Sequence, residues 1–414
     1  MSTLGGLLTS ESVSAGHPDK ICDRISDSIL DAFLTRDPRA RVACETFVAD
    51  QRVIVAGEFR TADPEHFAAV RDEAAAIVRR TLREIGYGDA GHDIDPARCA
   101  IDVLFNRQSP NIAAGTDRDD GAIGAGDQGM MFGYATSETE ALLPLPIWLA
   151  HQLIRRLTEA RTSGRLPFLR PDAKSQVTVR YLDHGRAVVD TVVLSTQHAP
   201  GFDLASLREA VHEEVILPVI GAELRSPSFR TLVNPAGAFE IGGPKGDTGL
   251  TGRKIIVDSY GGACPHGGGA FSGKDATKVD RSGAYAARWL AKHVVAAGLA
   301  PRCTVQLAYA IGVPEPVSVA VDLHGDRSVD ADVLALALAN VFDLTPRGII
   351  RELELDRPVF APTAAFGHFG RDEPGFTWER TPRVVALLAA LGRSPASVRR
   401  SGRVPESLPV GLTP

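Results

Sequence analysis

Lys245, Arg253, Lys254, Lys274, Lys278 and Arg281 stand in one stretch of the 414-residue chain, interleaved with the glycine runs GGP at 242, GG at 261, GGG at 267 and SGK at 272. Glycines let backbone amides approach an anion closely, while lysine and arginine neutralise it as point charges or as forks. Any one of these cations alone reads as a solvated surface charge. Together, in a glycine-rich and non-helical setting, they read as a cradle for a polyphosphate. Near the N-terminus, GHPDK at 16 sets His17 before Pro18 at a predicted helix start, where exposed amides and the helix dipole favour anions. His17 alone reads as a capping or packing residue. Asp19 either complements that dipole or, with phosphates nearby, holds Mg²⁺ through its oxygens.

Two other motifs lack the context their chemistry needs. Gly124, Gly126 and Gly129 satisfy GxGxxG, but a polar loop precedes them and the strand-like MMFGYA follows, the reverse of a dinucleotide fingerprint. Gly268 to Lys274 fits the first seven positions of a P-loop, yet the eighth is Asp275, not the hydroxyl that holds Mg²⁺. A P-loop-like ATPase or kinase is the competing enzyme class, and a nucleotide-binding regulatory subunit without activity is the competing non-enzyme.

The elements that must position these residues form an internal repeat of about 130 residues. Each unit reads helix, β-hairpin, helix, strand. The first has a helix over 18–34 with Ile21, Ile25, Ile29 and Phe33 at helical spacing, a hairpin over 41–59, a helix over 63–86 and the strand RCAIDVLF. The second repeats this from PLPIWLAHQLIRRLTEAR to RTLVN, with Asp183-His184-Gly185 as its hairpin turn, and the third runs from SGAYAARWLAKHVVAAG to GIIRELEL as its last strand. Three sheets with helices on one face imply an α+β protein with approximate threefold internal symmetry. The expected division is an N-terminal α+β domain over 4–109, a mobile loop over 110–129, a central α+β domain over 130–241, a C-terminal α+β domain over 242–385 and a tail over 386–414. A net charge of −6 gives no global reason to expect a nucleic-acid or membrane partner. Five cysteines without a CxxC indicate neither a disulfide framework nor a zinc site, and no leader or spanning segment is read, so a soluble cytoplasmic protein is expected.

At these residues the chain resembles the methionine adenosyltransferases, or S-adenosylmethionine synthetases, from about Thr9 to Arg380. The strings that carry the resemblance are GHPDK at 16, GAGDQG at 124, RPDAKSQVT at 170, GGPKGDTGLTGRKIIVDSYGG at 242, HGGGAFSGKDATKVDRS at 266 and TAAFGHFGR at 363. The resemblance implies three similar domains about a pseudo-threefold axis, homodimers with active sites shared between subunits, and dimers of dimers. It implies that methionine sulfur attacks C5′ of ATP and that the tripolyphosphate is then hydrolysed to phosphate and pyrophosphate, with two Mg²⁺ per site and an activating K⁺.

Carried over by motif position, His17 would contact the phosphates near the C5′–O bond; Asp172, Ala173, Lys174, Arg253, Lys254, Ala270 and Lys274 would bind ATP, and Ala238, Phe239 and Ile311 would line the adenosine site. Of these, His17, Lys174, Arg253 and Lys274 are the expected catalytic residues. Glu58, Gln108, Asp127, Asp247 and Lys278 would hold methionine, Asp247 also touching ATP. Asp19 and Asp280 would bind Mg²⁺ and Glu45 K⁺, although Glu45 and Glu58 by themselves read as solvent-facing strand residues. Departures from the family pattern are Asn111 for a usual Asp, Ala238 for a usual Arg and Lys245 for an uncharged residue. The complete set of site residues argues against the inactive-subunit alternative.

Overall fold

The computed structural model describes residues 6–88, 93–108, 123–182 and 186–394. Residues 110–122 of the loop predicted over 110–129, with Asn111, the 183–185 turn and the residues beyond 394 lie outside the described residues; the tail predicted from 386 starts inside a helix, Val384–Ala390, whose Leu387 and Leu388 are buried in the core.

Strand β1 (Leu7–Val13) leads into helix α1 (Pro18–Arg36), which begins where the sequence predicts because Pro18 sits in its first turn and the His17 side chain caps it. Ile21, Ile25, Ile29 and Phe33 are fully buried, the apolar stripe that a helical period produces. The hairpin follows as β2 (Arg41–Ala49) and β3 (Arg52–Arg60), then α2 (Pro64–Ile85), capped by Asp63 and stopped by Gly86 at φ 113°, and β4 (Ala100–Arg107), parallel to β3. The central unit repeats the order after strand β5 (Gly129–Thr136): α3 (Leu145–Thr162), β6 (Leu169–Tyr181), β7 (Ala187–His198), α4 (Leu204–Val211) with a π-helical continuation over His212–Ile216, and β8 (Arg225–Val233), parallel to β7. After the short strand β9 (Gly249–Leu250) the third unit has α5 (Val279–Ala296), β10 (Arg302–Tyr309), β11 (Ser318–Asp322) and α6 (Ala331–Val341).

One element differs from the sequence reading. GIIRELEL is not a strand: Pro346–Glu352 is a helix, α7. Thr345 caps it, its Oγ1 accepting the Gly348 N–H at 3.0 Å, and Pro346 fits its first turn, so local capping outweighs the alternation of RELEL.

The sheets run β4-β3-β2-β9, β1-β6-β7-β8 and β11-β10-β5. Each unit therefore lends a strand to another: β1, ahead of the first unit's helix, edges the central sheet; β5, ahead of the central helix, edges the third; β9, in the segment before the third helix, edges the first. The loan closes in a cycle and threads the glycine-rich segment after β9 against α1. The first and third units share one apolar core, from Ile21 on α1 to Trp378, while the central unit holds a second around Leu153 and Val192. No single helix among the described residues is long and apolar enough to cross a membrane.

Candidate active site

The N-terminus of α1 gathers the first group of expected residues. Gly16 packs directly on the Pro171 backbone, where an added Cβ would lie 2.4 Å from its carbonyl carbon, so no larger residue fits there. Tyr87 Oη donates to the Gly16 carbonyl at 2.6 Å and holds the turn from behind. His17 Nδ1 accepts the Asp19 N–H at 3.2 Å, which leaves the ring proton on Nε2 as a free donor. Burial, with Lys254, Lys174 and Lys20 nearby, lowers the His17 pKa to about 3 against the pull of Asp19, so the ring is neutral at physiological pH. Asp19 is buried, accepts the Leu250 N–H at 3.0 Å, forms an ion pair with Lys254 and lies 3.6 Å from Arg253 Nε. Burial works to raise its pKa, but the Lys254 and Leu250 hydrogen bonds outweigh that and hold the carboxyl below its ordinary value.

Beside this group, β6 presents the RPDAKS segment. Ser14 N–H donates to the Ala173 carbonyl at 2.9 Å and Ser14 Oγ accepts the Ala173 N–H at 2.9 Å, which fixes the exposed Lys174 on the neighbouring position. Asp172 Oδ2 accepts the Gly243 N–H at 2.9 Å, while its buried Oδ1 has no partner among the described residues. Burial raises the Asp172 pKa to about 7, with Asp93 and Asp247 adding to it. Gln108 Oε1 is likewise buried without a described partner. Ligand donors are natural partners for such atoms.

A second group forms where the SGKD loop runs beside β2. Lys274 Nζ donates to Asp280 Oδ2 at 2.6 Å, and Lys278 pairs with Asp275. Asp280 lies in the first turn of α5. Ala270 sits half-buried in the preceding loop, against Gly252, and Gly126 approaches Thr277 in the same region, next to the exposed Asp127. Glu45 and Glu58 share the outward face of the first sheet, diagonal across the hairpin. Desolvation raises the Glu45 pKa; Lys274 opposes this, and Asp23 and Glu58 reinforce it. The Lys274 context also separates this loop from a P-loop, since its backbone bridges Ala43 and the next helix starts only at Val279.

Not every expected residue joins these groups. Phe239 is tied to the end of β7, its N–H donating to His198 Nε2 at 3.0 Å, with Ala238 exposed beside it. Ile311 stands 61% exposed on the third unit, bridged to Ala125, and no ring contact or hydrogen bond among the described residues joins it to Phe239. Lys245 and Asp247 are both exposed. Arg281 corrects the sequence reading. It is wholly buried and donates to Asp27 from both terminal nitrogens, at 2.7 and 2.9 Å, so it belongs to the interior and not to the anion cradle. Its place in α5, facing α1, explains why a cation in the middle of the basic stretch points inward. The sequence reading also passed over Lys20, fully buried between Asp23 and Asp258, and the acids four apart along α1, whose spacing was the available signal.

No three His, Cys, Asp or Glu residues among those described converge as a ready metal cage. Single carboxylates beside cations, as at Asp19 and Asp280, instead fit Mg²⁺ held jointly with phosphate oxygens, because Mg²⁺ keeps much of its water and takes few protein ligands. All five cysteines are buried and free, their thiols pushed above the ordinary range mainly by burial, so none is a ready nucleophile.

Family models match the chain as the S-adenosylmethionine synthetase N-terminal domain over residues 6–110, its central domain over 122–239 and its C-terminal domain over 241–380. The S-adenosylmethionine synthase of Wolinella succinogenes is 55% identical over 381 residues, covering 92% of this chain and 97% of that protein. Those of Nitratiruptor sp. and Helicobacter hepaticus are 55% and 53% identical, covering 91% and 92% of this chain and 96% and 97% of theirs.

Proposed function

The chain belongs to the S-adenosylmethionine synthetase family, and from that premise we propose that its two groups of cations and acids carry a direct attack of the methionine sulfur on C5′ of ATP, followed by hydrolysis of the tripolyphosphate to phosphate and pyrophosphate. The protein is a methionine adenosyltransferase of three α+β domains that makes S-adenosylmethionine from ATP and methionine. The observation that carries the finer reading is the pairing of each candidate Mg²⁺ ligand with a candidate phosphate ligand, Asp19 with Lys254 and Asp280 with Lys274.

A thioether carries no proton, so the first step needs neither a base nor a covalent nucleophile. It needs the reactants aligned and the charge of an anionic leaving group stabilised. His17 Nε2–H donates to the oxygen leaving C5′, and a neutral ring serves because its hydrogen bond strengthens as that oxygen gains charge. Lys174, Arg253, Lys254 and Lys274 neutralise the triphosphate. As Lys254 and Lys274 move onto phosphate they release Asp19 and Asp280, which would each hold one Mg²⁺; the metal supplies neutralisation of the phosphate charge. Glu45 would hold K⁺, whose charge relieves the acidic face it shares with Glu58. Asp172 and Ala173 bind ATP alongside Lys174, Ala270 lines the phosphate loop, and Ala238, Phe239 and Ile311 line the adenosine site. Glu58, Gln108, Asp127, Asp247 and Lys278 hold the amino-acid end of methionine.

The same reading makes the active unit a homodimer with shared sites, paired further into a dimer of dimers. Exposed Phe47 and Leu104 on the face that carries Glu58 support it, since a second copy would cover them. We keep the domain division 4–109, 130–241 and 242–385, the active-site loop 110–129 and a cytoplasmic location as parts of this proposal. ATP made chiral with deuterium at C5′ tests the displacement. Inversion in the S-adenosylmethionine formed is expected, and retention would require a covalent intermediate that this site does not provide.

A further inference from the structure

Asp19, Asp23, Asp27 and Asp31 recur at intervals of four along α1. That spacing sets them on one helix face, where a row of like charges is unfavourable unless each finds donors elsewhere. Each accepts backbone N–H groups from the third unit or the segment leading into it. Asp19 accepts from Leu250 as described; Asp23 Oδ1 accepts from Gly252 at 2.8 Å, Asp27 Oδ1 from Gly273 at 2.8 Å, and Asp31 from Phe360 and Ala361 at 3.0 and 2.8 Å. Two of these donors immediately precede proposed phosphate cations, Gly252 before Arg253 and Lys254, Gly273 before Lys274.

Both glycines are in the left-handed region, at φ +79° and +80°, and a Cβ on Gly273 would lie 1.9 Å from the Cys44 carbonyl oxygen. The loops therefore turn in a conformation that side chains disfavour, and the carboxylates on α1 receive the amides that this conformation directs inward. Asp23 and Asp27 are fully buried and are neutralised from inside the protein. Lys20 Nζ lies 2.9 Å from Asp23 and also pairs with Asp258, and Arg281 forks onto Asp27 while also donating to the Lys274 carbonyl at 3.2 Å. These interior cations spare Arg253, Lys254 and Lys274 from neutralising the two buried acids.

We infer that Asp23 and Asp27 are positioning residues for the phosphate cradle: through the Gly252 and Gly273 amides, one stripe of α1 sets where Lys254 and Lys274 stand. The inference rests on the phosphate reading above. Asp31, on the same stripe, holds amides with no proposed ligand residue beside them and serves as the internal control.

Asp23→Asn and Asp23→Leu separate positioning from mere stability. Both keep the branched outline of the Asp side chain, Leu with more bulk, and both lose the ion pair with Lys20, which retains Asp258, but only Asn keeps an oxygen for the Gly252 N–H. In the full-length protein the thermal midpoint falls in both variants. The KM for added tripolyphosphate stays within about threefold of wild type in Asp23→Asn and rises about tenfold or more in Asp23→Leu, while the KM for methionine changes by less than about twofold in either. Asp31→Ala lowers the midpoint and leaves the tripolyphosphate KM unchanged. If Asp23→Leu does not accumulate folded, Asp23→Ala takes its place in the same comparison. An equal rise in Asn and Leu, or no rise in Leu, overturns the inference while leaving the phosphate reading intact. Failure of the wild-type protein to hydrolyse tripolyphosphate overturns the phosphate reading and this inference with it.

Discussion

Arg281 and Lys274 come from the same basic stretch, yet the structure predicts opposite consequences for removing them. Arg281→Met takes a guanidinium from a fully buried pair and leaves Asp27, among the described residues, with the Gly273 N–H at 2.8 Å and Thr363 Oγ1 at 3.2 Å. Stranding one member of a buried pair costs about 3–5 kcal/mol of stability. Lys274→Met removes a partly exposed ammonium whose partner Asp280 is about equally exposed, so solvent takes over much of the lost interaction and the cost is about 0–1 kcal/mol. The functional consequence runs the other way. A ligand at one hundred times its Kd stabilises the folded protein by about 2.7 kcal/mol, and Lys274→Met should lose most of that increment from tripolyphosphate while keeping the unliganded stability. Urea unfolding of the wild type and both variants, with and without tripolyphosphate, measures all of these quantities. An Arg281→Met protein as stable as wild type, or a Lys274→Met protein with an undiminished tripolyphosphate increment, would refute the division into interior and cradle cations.

His17→Asn should depress adenosyl transfer more than hydrolysis of added tripolyphosphate, because the proposed hydrogen bond lies at the C5′ oxygen; equal loss of both rates would remove that role. Lys174→Ala should fold normally, since its side chain is exposed, and lose most adenosyl transfer; near-wild-type kcat would show the cradle misassigned. Burial lowers the pKa of His151 to about 3, so between pH 6.5 and about 3 the unfolded chain binds a proton that the folded one does not, and stability falls as pH falls. At pH 5 this one group costs about 2 kcal/mol relative to pH 7, and His151→Gln should reduce the acid loss measured by urea unfolding by about that amount. Mixed dimers of inactive Glu58 and Lys174 variants should regain activity if the two residues reach a site from different chains, and no recovery in demonstrably mixed dimers would count against shared sites.

The parts of the fold legible in the sequence are those set by local pattern. The buried period of Ile21, Ile25, Ile29 and Phe33, with Pro18 ahead of it, marks α1, and Asp63 and Gly86 bracket α2 because caps act over a few residues. The cyclic loan of β1, β5 and β9 was not legible, since their partners are distant in sequence and two residues at Gly249–Leu250 carry no periodicity. The same limit governs the candidate site. Residue types and glycine context singled out Lys254 and Lys274, and Asp19 as one of two readings, while His17 gained a role only through the family resemblance; nothing local separates Lys274 from Arg281, because inside and outside are decided by how α5 packs on α1. The packing of the third unit and the segment before it on α1 likewise hid the use of Asp23, Asp27 and Asp31, which reads in one dimension as a solvated charge row and in three as a set of amide acceptors.

The central claim, sulfur attack at C5′ with the whole triphosphate leaving, is tested most directly by the phosphorus products of a single incubation with ATP, methionine, Mg²⁺ and K⁺. A nucleotide hydrolase or kinase cleaves between the β and γ phosphates and leaves ADP. The arrangement of His17, Lys174, Arg253, Lys254 and Lys274 predicts phosphate and pyrophosphate in equal amounts by phosphorus NMR, with no ADP at any time. ADP formed in step with phosphate would contradict it.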